Sequence, residues 1–144
     1  MITRIHHTGI IVNDIDKLLP FYCDVLGMEV AHDLGILDGS DVVNVFGGRL
    51  SKVRLVMLRT GDQILEFLQP VEPPGKPLGD DVQYGEVGQA HIALQVDDVD
   101  SAYKRLAEEG VQFICPPQEN VGEQKFFYMR DPEGHYLEVF QPPS

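Results

Sequence analysis

Apolar and polar positions along this chain follow two periods in succession, and the succession occurs twice. In HTGIIVNDID, beginning at His7, and in HIALQVDDVD, beginning at His91, side chains alternate with the period of two expected of a strand. Each stretch then passes into helical spacing. Leu18, Phe21, Tyr22, Val25 and Leu26 mark one face of KLLPFYCDVLG, and Ala102, Tyr103, Leu106 and Ala107 mark one face of SAYKRLAEEG. Both helices run out at a glycine, Gly27 and Gly110, the residue suited to a left-handed C-terminal cap. A short strand-like run follows each, MEVAH and VQFIC. Each half then closes on a hairpin: KVRLVMLRT and ILEFLQP about the Gly61-Asp62 turn, and KFFYMR and HYLEVFQP about DPEG.

The order strand, helix and about three strands therefore repeats. At a constant offset of 84, His7 meets His91, Val12 meets Val96, Asp14 meets Asp98 and Asp16 meets Asp100. Units of roughly 60 residues are marginal alone, which favours two modules in one domain. The expected division is modules 4–70 and 89–142 within a single domain 1–144, joined by a Pro- and Gly-rich connector, 71–88. The first half is longer, with its surplus at residues 34–52. That segment reads either as a longer strand with a loop or as a mobile flap.

Composition narrows the function. The chain is 43% hydrophobic and 24% charged, which is globular and disfavours disorder. No apolar run approaches the roughly 18 residues that span a bilayer, and MITRIHHTGIIVND lacks an apolar core of signal-peptide length. The expectation is a cytoplasmic protein with no membrane partner. A net charge of −12 repels phosphate backbones, so nucleic acid is not an expected partner and a small molecule is. Arg49, Arg54 or Lys125 could still form a local anion pocket. Cys23 and Cys115 form no CxxC and are expected to be reduced packing thiols.

The sequences LEFLQP and LEVFQP each place a carboxylate, Glu66 and Glu138, inside an apolar strand, where it is costly unless something positive answers it. Parity sorts the neighbours. Ile92, Leu94 and Val96 share the helix-facing side of their strand, and His91 lies opposite with Ala93 and Gln95. By the repeat, Ile10 and Val12 face the helix, and His7 lies opposite with Gly9. Glu66 shares a face with Ile64 and Leu68, and Glu138 with Tyr136 and Phe140. His6 falls on the wrong face and reads as structural, and His135 has the opposite parity to Glu138. Each histidine or glutamate alone has an ordinary explanation. Together, two neutral imidazoles and two carboxylates make a suitable N/O set for a divalent metal.

The segments HHTGIIVNDID, FYCDVLGMEV, ILEFLQP, AHIALQVDDVD, AYKRLAEEGVQF and DPEGHYLEVFQ resemble the vicinal oxygen chelate superfamily. Its members include glyoxalase, methylmalonyl-CoA epimerase, extradiol dioxygenases, fosfomycin-resistance enzymes and bleomycin-resistance proteins. The resemblance covers nearly the whole chain. It implies an α+β fold of two βαβββ modules whose curved mixed sheet surrounds a metal-centred cavity, often in a homodimer. It also implies ligands on the first and last strand of each module, here His7, Glu66, His91 and Glu138. One divalent ion per site is expected, drawn from Zn, Ni, Co, Mn or Fe. The His-Glu-His-Glu set is similar to that of the glyoxalase and epimerase branches, which implies a lyase or isomerase moving a proton next to a metal-bound carbonyl. Glu138 is then the first choice of acid or base and Glu66 the second.

Two other classes compete. An iron(II) extradiol dioxygenase would use His7, His91 and Glu138, but Glu66 and the short chain argue against it. A bleomycin-resistance-like binding protein would suit the acidic charge, but such binders generally lack the four ligand positions retained here. A fosfomycin-type transferase is disfavoured because that branch's potassium- and phosphonate-binding residues are not identifiable. Arg49, Lys52 and Arg54 cluster by the longer segment and read as surface charges. Tyr84 and Tyr128 read as pocket residues.

Overall fold

The computed structural model describes residues 1–79, 84–121 and 124–143, so residues 80–83 of the expected connector lie outside the described residues. The chain divides into two compact units, Met1–Pro77 and Leu78–Ser144. The connector is thus shared: its first residues belong to the first unit, and the stretch from Leu78 belongs to the second.

The first unit runs β1 (Thr8–Ile11), α1 (Ile15–Leu19), β2 (Glu29–Asp38), α2 (Ser40–Val45), β3 (Lys52–Thr60) and β4 (Gln63–Glu72). Its sheet has the order β1-β4-β3-β2, with β1 parallel to β4 and the other pairs antiparallel. The second unit runs β5 (His91–Gln95), α3 (Val99–Glu108), β6 (Gln112–Phe113), β7 (Gln118–Val121), β8 (Gln124–Arg130) and β9 (Tyr136–Gln141). The order β5-β9-β8-β6 repeats the first topology, with β5 parallel to β9 and β7 added against β8. The fold is α+β and glyoxalase-like, with a mixed sheet in each unit.

Three details depart from or refine the pattern read from sequence. Of the two readings for residues 34–52, the longer strand is observed: β2 continues to Asp38 and the short α2 follows. The run VQFIC supplies only the two-residue β6, and β7 is an additional strand. The first helical segment leaves α geometry at Pro20, and Pro20–Val25 forms a π-helical turn. Proline has no N–H to give to the helix and its ring crowds the carbonyl one turn back, so a change of hydrogen-bond register there has a local cause.

Alternation along the strands builds the cores. In the first unit Leu65 and Phe67 are buried with Val56, Leu58, Ile15, Leu18 and Tyr22. The Tyr22 and Phe67 rings meet edge to face at 4.9 Å. In the second unit Leu137 and Val139 are buried with Phe127, Met129, Val99 and Leu106. Gly27 and Gly110 both adopt positive φ, +79° and +74°, as the cap reading requires. After α3, Gly110 and Val111 donate to the Ala107 and Leu106 carbonyls, which satisfies two end carbonyls of the helix.

The helix N-termini explain the glutamines of the repeated Leu-Glu-x-x-Gln-Pro. Asp14 and Asp98 accept from Lys17 N–H and Ser101 N–H. The side-chain oxygens of Gln69 and Gln141 accept from Ile15 N–H at 2.9 Å and Val99 N–H at 3.1 Å. Each glutamine thus ties the end of its module's last strand to the start of its helix, meeting a donor that the helix leaves open. Gln69→Leu and Gln141→Leu are each expected to cost about 1 kcal/mol. Urea unfolding of each variant checks this, and midpoints equal to the parent's would remove the capping role.

Candidate metal and catalytic site

In the first unit, β1 and β4 lie side by side in parallel, with Gly9 opposite Glu66. His7 stands two residues before Gly9, which puts it diagonally across from Glu66 on the same face. His7 Nε2 lies 3.7 Å from Glu66 Oε2. Glu66 is only 9% exposed, one of the few buried charged residues. A Cβ on Gly9 would stand 3.5 Å from Glu66 Oε1, an ordinary van der Waals contact, so Gly9 packs directly against this carboxylate. The other nitrogen of His7, Nδ1, meets His6 Nδ1 at 2.9 Å.

The second unit repeats the arrangement. Ala93 stands opposite Glu138, His91 is two residues earlier, and His91 Nε2 lies 3.1 Å from Glu138 Oε2. Nδ1 of His91 is bonded to the Tyr84 hydroxyl. The unit adds a group that the first lacks. Tyr128 stands opposite Glu138 across β8 and β9, whereas Met57 stands opposite Glu66 across β3 and β4. Burial, then the nearby Glu138 carboxylate and Tyr84 push the Tyr128 hydroxyl up to about 12. Tyr128 is therefore an O–H group throughout the neutral range.

The structure brings together His7 with Glu66, and His91 with Glu138, one pair in each unit. Among the described residues, no group of three or more His, Cys, Asp or Glu is gathered as a metal-holding cluster. The donor chemistry of each pair nonetheless fits a divalent ion. Neighbouring ligands on an ion with bonds of about 2.1 Å stand roughly 3.0–3.4 Å apart. The His91–Glu138 separation, 3.1 Å, falls in this range, and the His7–Glu66 separation, 3.7 Å, is wider than it. In both pairs it is Nε2 that faces the carboxylate, while Nδ1 is held by another side chain, as ligating histidines commonly require.

Other candidates resolve differently. His6 is exposed and acts on His7 through Nδ1. His135 Nδ1 lies 2.9 Å from Asp131 Oδ2, and Asp131 also accepts from the backbone N–H groups of Glu133 and His135, so this histidine braces the DPEG turn. The basic residues are largely committed to carboxylates. Lys52 pairs with Glu72 at 2.6 Å, Arg54 with Asp16 at 2.7 Å, and Lys125 with Asp100 at 2.5 Å and Glu119 at 2.9 Å. These partners answer the positive charges of Lys52, Arg54 and Lys125, which weakens the idea of an anion pocket. Arg49 is exposed. Cys23 and Cys115 are free thiols. No helix among the described residues is long and apolar enough to cross a membrane.

Sequence reading named Tyr84 and Tyr128 as pocket residues but did not show what each of them meets. The partnership of Tyr84 with His91 joins a connector residue to a strand and has no periodic signal. The contrast of Tyr128 with Met57 was available once KFFYMR and KVRLVMLRT were aligned on their hairpins, but it needed the register to show that both residues stand opposite the glutamates.

Two units, each setting a histidine at the start of its first strand against a glutamate of its last, define a glyoxalase-like fold. The chain belongs to the Glyoxalase/Bleomycin resistance protein/Dioxygenase superfamily, whose family model matches residues 4–139. It is 28% identical over 140 residues to a probable lactoylglutathione lyase of Synechocystis, covering 96% of this chain and 95% of that protein. It is 26% identical over 151 residues to a 2-epi-5-epi-valiolone epimerase of an Actinomyces species, covering 97% and 80%. A glyoxalase family protein from Bacillus cereus superposes with a TM-score of 0.85 at 18% identity, covering 100% of this chain and 97% of that one. The relatives include lyases and epimerases, and the superfamily commonly uses a divalent metal.

Proposed function

We propose that this chain is a metal-dependent lyase or isomerase of the glyoxalase and epimerase type, a cytoplasmic homodimer that moves a proton beside the carbonyl of a small-molecule substrate. The observation that carries the reading is the duplicated His–Glu pair, with Nε2 facing the carboxylate in both units. His7 and Glu66 of the first unit and His91 and Glu138 of the second are the proposed ligands for an ion of the Zn, Ni, Co, Mn or Fe series. Such an ion, when bound, supplies Lewis acidity to a substrate carbonyl oxygen.

The protein's own groups divide the remaining work. Glu138 takes the proton from the carbon next to the carbonyl and returns it, because a carboxylate within hydrogen-bonding reach of that carbon can act as base and then as acid. Tyr128 supports the assignment, as it stands opposite Glu138 and that carboxylate helps keep its hydroxyl protonated. The equivalent neighbour of Glu66 is the thioether of Met57, which offers no comparable donor. Glu66, buried beside Gly9, mainly holds the ion.

The test is metal titration of the purified protein, followed by deuterium exchange at the carbon beside the carbonyl of 2-oxo and acyl-thioester substrates. Exchange that depends on one bound ion per site is expected. Exchange with no metal among those five would count against the reading. Iron-dependent oxygen uptake with a catechol would instead make the protein a dioxygenase, and absence of metal binding would make it a binding protein.

A further inference from the structure

We propose that Tyr84 is a positioning residue for His91, holding the imidazole at Nδ1 so that Nε2 is presented to Glu138. The consequence for metal affinity rests on the proposed function, while the effect on the ring itself does not. An imidazole has two nitrogens, and the partner of one decides what the other can do. In the second unit the Tyr84 hydroxyl takes Nδ1, and Nε2 lies 3.1 Å from Glu138 Oε2. The hydroxyl is both donor and acceptor. It donates to Nδ1 when the ring proton is on Nε2 and points at the carboxylate. It accepts from Nδ1–H when the Nε2 lone pair is used for coordination. Both states need the same heavy-atom positions, so the ring can change its bonding without turning.

Water could make the same hydrogen bond, but it would not fix the plane of the ring. Tyr84 does so because its own ring is held. It packs on Tyr136 with centroids 4.4 Å apart and planes 31° apart, and it meets Tyr128 at 5.8 Å and His91 at 5.9 Å. These contacts anchor a side chain that is 41% exposed. The first unit meets the same requirement differently, with His6 on Nδ1 of His7. A connector residue therefore does for the second histidine what a sequence neighbour does for the first.

Tyr84→Phe keeps the ring packing and removes only the oxygen. Long-range nitrogen–proton NMR of histidine-labelled apoprotein, recorded above the ordinary titration range of imidazole, reads the His91 tautomer directly. The parent is expected to show one tautomer, protonated at Nε2 toward Glu138, with the Nδ1 resonance displaced by the Tyr84 hydrogen bond; the variant is expected to lose that displacement while the carboxylate still favours Nε2–H. Competition of each protein with a chelator for zinc is expected to show about a 10-fold loss of affinity in the variant, the scale for removing an outer partner of a ligating histidine. A His91 signal in the variant identical to the parent's would overturn the proposal. Failure of both proteins to bind zinc, nickel, cobalt, manganese or iron would overturn the metal reading alone, because the Nδ1 resonance still decides the role of Tyr84.

Discussion

Replacing Glu138 by glutamine is expected to lower kcat for proton exchange by about 10²–10⁴-fold, the range that a positioned general acid or base contributes. The amide keeps the size of the side chain and can still accept a hydrogen bond from His91, but it cannot take a proton. Glu66→Gln is expected to act differently, because Glu66 is buried and the residue opposite it is Met57, a thioether rather than a hydroxyl. Its main loss should be in metal affinity, and saturating metal should restore much of kcat. Measuring kcat at saturating metal for both variants separates the roles. The assignment is reversed if Glu66→Gln abolishes exchange at full metal occupancy while Glu138→Gln retains it.

The second large effect is expected from removing an imidazole. His7→Ala and His91→Ala each take away one of two nitrogen donors, so each should lose more metal affinity than the about 10–100-fold scale for outer partners. Thermal unfolding gives a readout independent of turnover. An ion that binds only the folded chain stabilises it by about 2.7 kcal/mol at one hundred times its dissociation constant. That metal-induced shift should vanish in both variants, while a His135→Ala control should retain it, because His135 instead braces the turn through Asp131. An undiminished shift in His7→Ala or His91→Ala would remove that residue from the proposed ligand set.

These two effects draw on different parts of the molecule's logic. The positions of the histidines and glutamates follow from strand parity, and the structure does place His7 beside Glu66 and His91 beside Glu138. The chemical inequality between the glutamates does not follow from parity. It comes from the residue across the sheet, Tyr128 in one unit and Met57 in the other, which only the strand register identifies. The same limit applied to the basic residues. Lys52, Arg54 and Lys125 were visible as charges, but their acidic partners lie on other elements and were not.

By itself the sequence determined the repeated order of elements, the glycine-capped helix ends and the faces on which the histidines and glutamates lie. Those features are local, set by alternation, helical spacing and the backbone freedom of glycine. Tertiary structure alone decided what each functional group touches. It put Gln69 and Gln141 on the helix N-termini, Tyr84 on Nδ1 of His91 and Tyr128 across from Glu138. The physical reason is that a side-chain contact depends on strand register and on the path of connectors, and neither leaves a periodic trace in the residues that meet.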